Sequence, residues 1–337
     1  LINAARILEY QQQYAAAAEY YKRAADTIVD EEDKRAAHYR VAEMAYKQEN
    51  WNLAIREMRD FIKRYKQDSK AGSVIVQAYW RIAESQKAKG TRGKEYHAAL
   101  QDVVDAFAST NQARGSAAAE YAAESKFLLV DDSSESFESF TIKAGHPATM
   151  EAYIKKEISQ QIGQGSKQAT ALAAGYDPIP AYGRPKWTIA AYVRQGRIYE
   201  VLAKAVLNMP FVMPKDINAQ LKRLDPVAKE DMRVQIEDRV RQVLDEQVRA
   251  IECLAVSRYA LAARAARAGS MDTEYTRVAV DRLQAYGDER IGECIEQATK
   301  QDPTFGAYQS GEFTRVPRGQ TLPLPSGTAL PAMEVEP

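Results

Sequence analysis

Apolar positions in the first third of the chain recur at helical spacing, and the pattern itself repeats. Tyr14, Ala17, Tyr21 and Ala24 set aromatic, small, bulky and apolar residues along one helix face. Trp51, Ala54, Met58 and Phe61 follow the same scheme 37 residues later. A third copy runs through Tyr96, Ala99 and Val103; Ala99 follows Ala54 by 45 residues, so this copy carries an insertion around residues 90–94. Partner helices marked by Val41-Ala42 and Ile82-Ala83 lie between them. Small residues such as Ala42, Ala54, Ala83 and Ala99 let neighbouring helices approach, and Tyr21, Met58 and Val103 fill the space beside them. One hairpin cannot bury its apolar face alone, so the pattern predicts hairpins stacked into an all-α superhelix, an α-solenoid, over residues 1–116.

The pattern loosens after residue 116, and residues 117–300 read as degenerate helical repeats. Residues 117–131 keep a helical period through Tyr121, Phe127 and Leu128, and residues 131–135 read as a turn. Residues 150–174 predict another helical stretch, with Gly163 and Gly165 marking a break in it. The run 176–185 contains Pro178, Pro180 and Pro185 and must be loop. Residues 187–208 predict a helix and 210–226 a connection. Residues 231–268 read as one long helix, apolar at Ile236, Val240, Val243, Leu244, Val248, Ile251, Leu254 and Ala255. At 1.5 Å per residue it would be roughly 55 Å long. Gly269 stops it, Asp272 is placed to cap a helix ending at Tyr286, and Asp288 opens a last helix ending near Lys300. Six prolines and four glycines make residues 301–337 a Pro/Gly-rich tail, in which Leu322-Pro-Leu-Pro325 suits an extended polyproline conformation.

Composition narrows the function classes. With 46 Lys+Arg against 46 Asp+Glu the net charge is zero, which argues against a nucleic-acid binder held by phosphate neutralisation. No apolar run is long enough for a transmembrane segment. The 3 His residues lie in separate segments, and no His-x3-His, Cys-x2-Cys or His-Glu-x2-His spacing occurs, so no metal site is expected. His38 falls at a helix position that is normally aromatic and reads as a packed, hydrogen-bonded core residue. Gly163-Gln-Gly165 lacks the rest of a dinucleotide loop. Asp30-Glu31-Glu32-Asp33 reads as the capped, solvated start of a helix. No converging catalytic set is visible, so the chain reads as no enzyme, with no cofactor.

The hairpin pattern resembles the tetratricopeptide repeat (TPR). Tyr192, Gly196 and Tyr199 copy the aromatic, Gly and Tyr positions of that family's first helix, while Gln195 stands where it has an apolar residue. Phe61-Ile-Lys-Arg-Tyr65 and Ala78-Tyr-Trp-Arg-Ile82 look like repeats of bacterial envelope proteins, with Lys66 in place of the usual proline. Phe137 and Phe140, the Tyr176 loop, the 187–200 helix and the proline-bearing 209–214 segment follow one another in a telling order. That order is similar to the envelope TPR proteins of the adventurous gliding-motility machinery of gliding bacteria. The resemblance covers roughly residues 1–300 and is strongest at 117–214. It implies a non-enzymatic scaffold in the periplasm or at the periplasmic face of the outer membrane, whose partners are other proteins of an envelope complex. A chaperone-like peptide-binding module of outer-membrane assembly or secretion is the competing reading, and an accessory subunit or cryptic enzyme of a helical-repeat class a third. The chain begins at Leu1 with no basic-then-apolar leader, so it reads as trimmed and its targeting signal as lost.

In this register the first helix of each hairpin lines the concave face, and Tyr10, Tyr39, Glu43, Tyr46, Lys47, Trp80, Glu84 and Lys87 become the candidate partner-binding residues. Aromatics interspersed with charges suit an extended or helical peptide. On this reading Trp80→Ala with Tyr46→Ala abolishes partner capture while melting stays nearly unchanged. Cys253 and Cys294 invite a disulfide in an oxidising compartment. If the long helix simply turns back, however, Cys294 lies about six residues from the level of Cys253, roughly 9 Å along the axis, and buried free thiols are expected.

Overall fold

The computed structural model describes residues 1–90, 93–143, 145 and 147–313. His146 and the tail from residue 314 onward, including Leu322-Pro-Leu-Pro325, lie outside the described residues. The described residues form helices joined by turns and loops, with no strand among them. No helix among them is long and apolar enough to cross a membrane. Packing divides the chain into two compact units, one of residues 1–130 with 178–184, the other of residues 131–177 and from 185 on.

The first unit is a run of antiparallel hairpins. Helices α1 (Ile2–Tyr10) and α2 (Tyr14–Thr27) form the first, α3 (Glu31–Lys47) and α4 (Trp51–Tyr65) the second, α5 (Gly72–Ala88) and α6 (Lys94–Ser109) the third. Each packs on the helices before and after it in sequence, and α3 also meets α5. The alanines behave as their spacing predicts: Ala5, Ala17 and Tyr21 are buried in one cluster with Met44 of the next hairpin. Ala42, Ala54 and Met58 are buried at the corresponding places one hairpin on. The reversals are tight. Gln12 and Glu49 take left-handed backbone, φ 61 and 56, and Gly90 takes the equivalent position at φ 79. Asp30 caps α3 by accepting from the amides of Glu32 and Asp33, each at 2.9 Å. Asn50 caps α4 by accepting from the amide of Leu53. Helix α7 (Ala117–Glu135) continues through residues 131–135, where a turn was expected, and the unit boundary falls inside it. Alanines 118, 119, 122 and 123, all buried, pack the first turns of this helix. Residues 178–184 close this unit from a distance in sequence. The Gly115 amide donates to the Tyr182 carbonyl at 2.8 Å, Tyr182 packs on Phe107, and Arg184 pairs with buried Glu120.

In the second unit a single turn, α8 (Met150–Ala152), leads through a π-helical stretch, Tyr153–Gln160, into α9 (Gln161–Ala174). Gly163 and Gly165 do not break it. A Cβ on Gly165 would lie 2.8 Å from Leu202 and 2.9 Å from Phe140, so the glycine is there for close packing. Helix α10 (Pro185–Leu207) packs along α12 (Pro226–Ala268), with the short α11 (Lys215–Leu221) between them in sequence. The long helix starts earlier than residue 231, because Asp225 caps it and Pro226 occupies its first turn, where a missing amide costs nothing. Thr273, not Asp272, caps α13 (Glu274–Tyr286), while Asp272 pairs with Arg277.

Helix α14 (Asp288–Gln301) overturns the expectation of free thiols: Cys253 and Cys294 are disulfide-bonded, with Cα atoms 4.7 Å apart. The sequence estimate assumed one straight return helix. Instead Gly287, at φ 80, separates α13 from α14, and α14 lies against α12 in its own right.

Gly196 carries a close contact between α10 and α12. A Cβ there would sit 2.8–2.9 Å from the ring of Tyr259 on α12. Overpacking of this kind costs about 1–3 kcal/mol, so Gly196→Ala is expected to lower the stability of the second unit by that amount in urea denaturation. Unchanged stability would mean the ring can yield. Gln195 beside it explains the departure from an apolar residue. Its amide nitrogen donates to the Ala173 carbonyl at 2.8 Å and to Asp177 at 2.7 Å, tying the end of α9 to α10.

Candidate functional site

Five of the eight candidate residues come together on α3 and α5, around a residue the sequence reading passed over. Arg81, 2% exposed, donates from Nε to Glu43 Oε1 at 2.8 Å and from Nη1 to Glu84 Oε2 at 2.8 Å. Tyr39 donates to the same Glu43 oxygen at 2.9 Å, and Tyr46 donates to Glu84 at 3.0 Å. The guanidinium also lies over the ring of Tyr46 at 4.4 Å and that of Trp80 at 5.1 Å. Trp80 packs on Tyr121 of α7, ring centroids 4.7 Å apart, and Tyr39 meets Phe61 edge-on. The cluster is thus a charged core with an aromatic lining.

Its electrostatics follow from burial. Desolvation opposes the charge on Arg81, but Glu43, Tyr39 and Glu84 outweigh it and hold the guanidinium protonated beyond its ordinary range. Burial pushes the Tyr39 hydroxyl well up, aided by the carboxylate of Glu43. Tyr46 is pushed up to about 12 by burial and then by Glu84. Burial also raises Glu84, against the pull of Arg81. The second oxygen of Glu43, which is 0% exposed, has no hydrogen-bond partner among the described residues.

The eight candidates therefore do not share one surface. Tyr39, Glu43 and Trp80 are interior side chains joining helices, and no partner can touch them in this conformation. Trp80→Ala would open a cavity in the core, so the expectation that melting stays unchanged does not hold. Tyr46 and Glu84 are half-buried at the rim of the cluster, and Lys87 is exposed one turn beyond. Lys47 sits apart, donating to Glu9 of α1 at 2.7 Å. Glu9 also accepts from Tyr21 at 2.7 Å and pairs with Arg40 at 3.4 Å. Burial pushes the Glu9 carboxyl up, but these partners together hold it below the usual carboxylate range. Tyr10 is 91% exposed.

A sequence signal for Arg81 exists. Tyr39 and Trp80, Arg40 and Arg81, and Glu43 and Glu84 are each 41 residues apart, so the polar positions repeat with the first helices and not only the alanines. His38 is hydrogen-bonded, its Nδ1 2.6 Å from the Tyr65 hydroxyl, though only half-buried. Burial and then Arg64 lower its pKa. Among the described residues no group of three or more His, Cys, Asp or Glu is placed to hold a metal ion.

Compared with models of known protein families, with curated proteins and with solved structures, the chain matches none.

Proposed function

We propose that this chain is a non-enzymatic protein–protein interaction scaffold that presents the outer rim of its first-helix layer to a partner. The observation that supports this most is the cluster around Arg81. It locks α3 to α5 and leaves Tyr46, Glu84 and Lys87 as a fixed, mixed aromatic and charged edge. Preorganised edges of this composition bind protein segments with little loss of side-chain entropy. The finer reading, a TPR-like scaffold in a bacterial envelope complex of the gliding-motility kind, rests on the segment order at residues 117–214. The disulfide supports an oxidising compartment such as the periplasm. A chaperone-like module is the second reading, since the same edge would suit extended peptides.

Crosslinking in the native cell envelope with identification of partners tests the proposal. One stable partner set is expected, and it is lost in Lys87→Glu at unchanged melting because Lys87 is exposed. A diffuse set of unfolded clients would favour the chaperone reading. Partners indifferent to Lys87→Glu would remove the rim as the binding edge.

A further inference from the structure

A cleft of 720 Å³ opens in the second unit where α13 turns into α14. Leu207, the last residue of α10, Val248 of α12 and Tyr286 of α13 give it an apolar side, and Leu207 is 50% exposed there. The other walls are charged. Carboxylates from Asp245, Glu252, Asp288, Glu289 and Glu293 outnumber the guanidinium groups of Arg249 and Arg290 by three. Some of this charge is used inside the fold. Arg290 spans Glu252 and Glu293, at 2.8 and 2.7 Å, and the Cys253–Cys294 bond lies beside both, so α12 and α14 hold the walls at a fixed separation. Asp245 and Glu289 are exposed and, among the described residues, make no side-chain hydrogen bond or ion pair. A rigid, acid-rich cleft with an apolar side fits a segment that carries positive charge and apolar groups together.

The chain delivers such a segment to the rim. Residues after α14 fold back onto Asp288, which accepts from the Tyr308 hydroxyl, the Ser310 hydroxyl and the Gly311 amide. Phe313 then stacks on Tyr308, ring centroids 5.9 Å apart. Counted from Gly311, Arg315 and Arg318 have a reach of roughly 14 and 24 Å at full extension. Between Glu312 and Glu334 the sequence holds these two arginines and no acidic residue, with Val316 and Pro317 between the arginines and Leu322-Pro-Leu-Pro325 beyond them. In an extended polyproline conformation three residues complete a turn, so Arg315 and Arg318 share one edge. We infer that the cleft binds an extended segment carrying arginine and proline, and that residues 314–325 of this chain are its occupant. Arg315 and Arg318 face the two unpaired carboxylates, Asp245 and Glu289, and the apolar residues of the segment cover Leu207. The contact lies within the second unit and stands or falls independently of the scaffold rim on α3 and α5.

The test uses the full chain, purified without reductant, with the photo-crosslinking residue p-benzoylphenylalanine at position 316. An equal amount of isotope-labelled chain separates crosslinks within a molecule from those between molecules. Irradiation is expected to join position 316 to Leu207, to residues 245–252 or to residues 286–293 of the same molecule. Arg315→Glu with Arg318→Glu, which alters no residue of the cleft, is expected to lower that yield about fivefold or more, as loss of two exposed ion pairs does. Asp245→Arg with Glu289→Arg is expected to lower it as far, and the four changes together to restore it. Attachment elsewhere or between molecules, or no crosslink at all, overturns the inference. So does a yield indifferent to Arg315→Glu with Arg318→Glu, or no recovery when all four changes are combined.

Discussion

Arg81→Met is expected to destabilise the first unit by about 3–5 kcal/mol, the usual cost of removing one member of a buried ion pair. The loss comes from what stays behind more than from what is removed. Glu43 is 0% exposed, and among the described residues its hydrogen-bond donors are Tyr39 and Arg81. Without the guanidinium, the carboxylate keeps a single hydroxyl donor in a medium that solvates charge poorly. Glu84 is less affected, because it is half-exposed and water takes the place of Arg81. The pair itself is not the source of stability, since replacing a whole buried ion pair with apolar groups is often neutral. Arg81→Met combined with Glu43→Met is therefore expected to recover most of the loss. Urea denaturation read by hydrogen exchange at α3 and α5 measures both. A loss below about 1 kcal/mol for the single variant, in the range of a surface pair, would mean that water reaches the cluster.

Breaking the Cys253–Cys294 bond is the second large effect. The cysteines are 41 residues apart, and the chain-entropy relation for a loop of that size gives about 4 kcal/mol. Both sulfurs are buried, and α14 has few other buried anchors, Ile291 and Ile295. The segment after α14 is tied to α14 through Asp288, which accepts from the Ser310 hydroxyl and the Gly311 amide, and to α12 through Arg264, which donates to Glu312 and to the Ala307 carbonyl. Reduction is thus expected to release α14 and residues 302–313 together, with hydrogen exchange rising there and not in the first unit. Thiol titration under denaturing conditions should find none before reduction and two after. Two free thiols in unreduced protein would remove the bridge and, with it, the argument for an oxidising compartment.

How far the sequence could be read depended on which physical rule governed each residue. Alanines and bulky partners at fixed spacing have one use, close helix packing, and the hairpins of α1 to α6 were legible from them. Charged residues inside a helix have two uses, solvation and burial with a partner, and periodicity cannot separate them. Glu43 was therefore placed on the partner-binding face and Arg81 was passed over, although their 41-residue relation to Glu84 and Arg40 was there to be seen. The disulfide was missed for another reason. Distance along a helix was estimated without knowing that Gly287 redirects the chain. Gln195 looked like a defect in a repeat until its acceptors, at the end of α9, were known.

The loop at residues 178–184 sets an order of events during synthesis. It belongs to the first unit, yet 47 residues of the second unit, 131–177, precede it in the chain. A nascent chain can form its early hairpins as soon as they emerge, because each packs on its neighbour in sequence. Glu120, buried, gains its pairing with Arg184 only once residue 184 has emerged. The first unit therefore waits, unfinished at one edge, while the beginning of the second is made, and the ribosome finishes both in an overlapping sequence instead of one after the other.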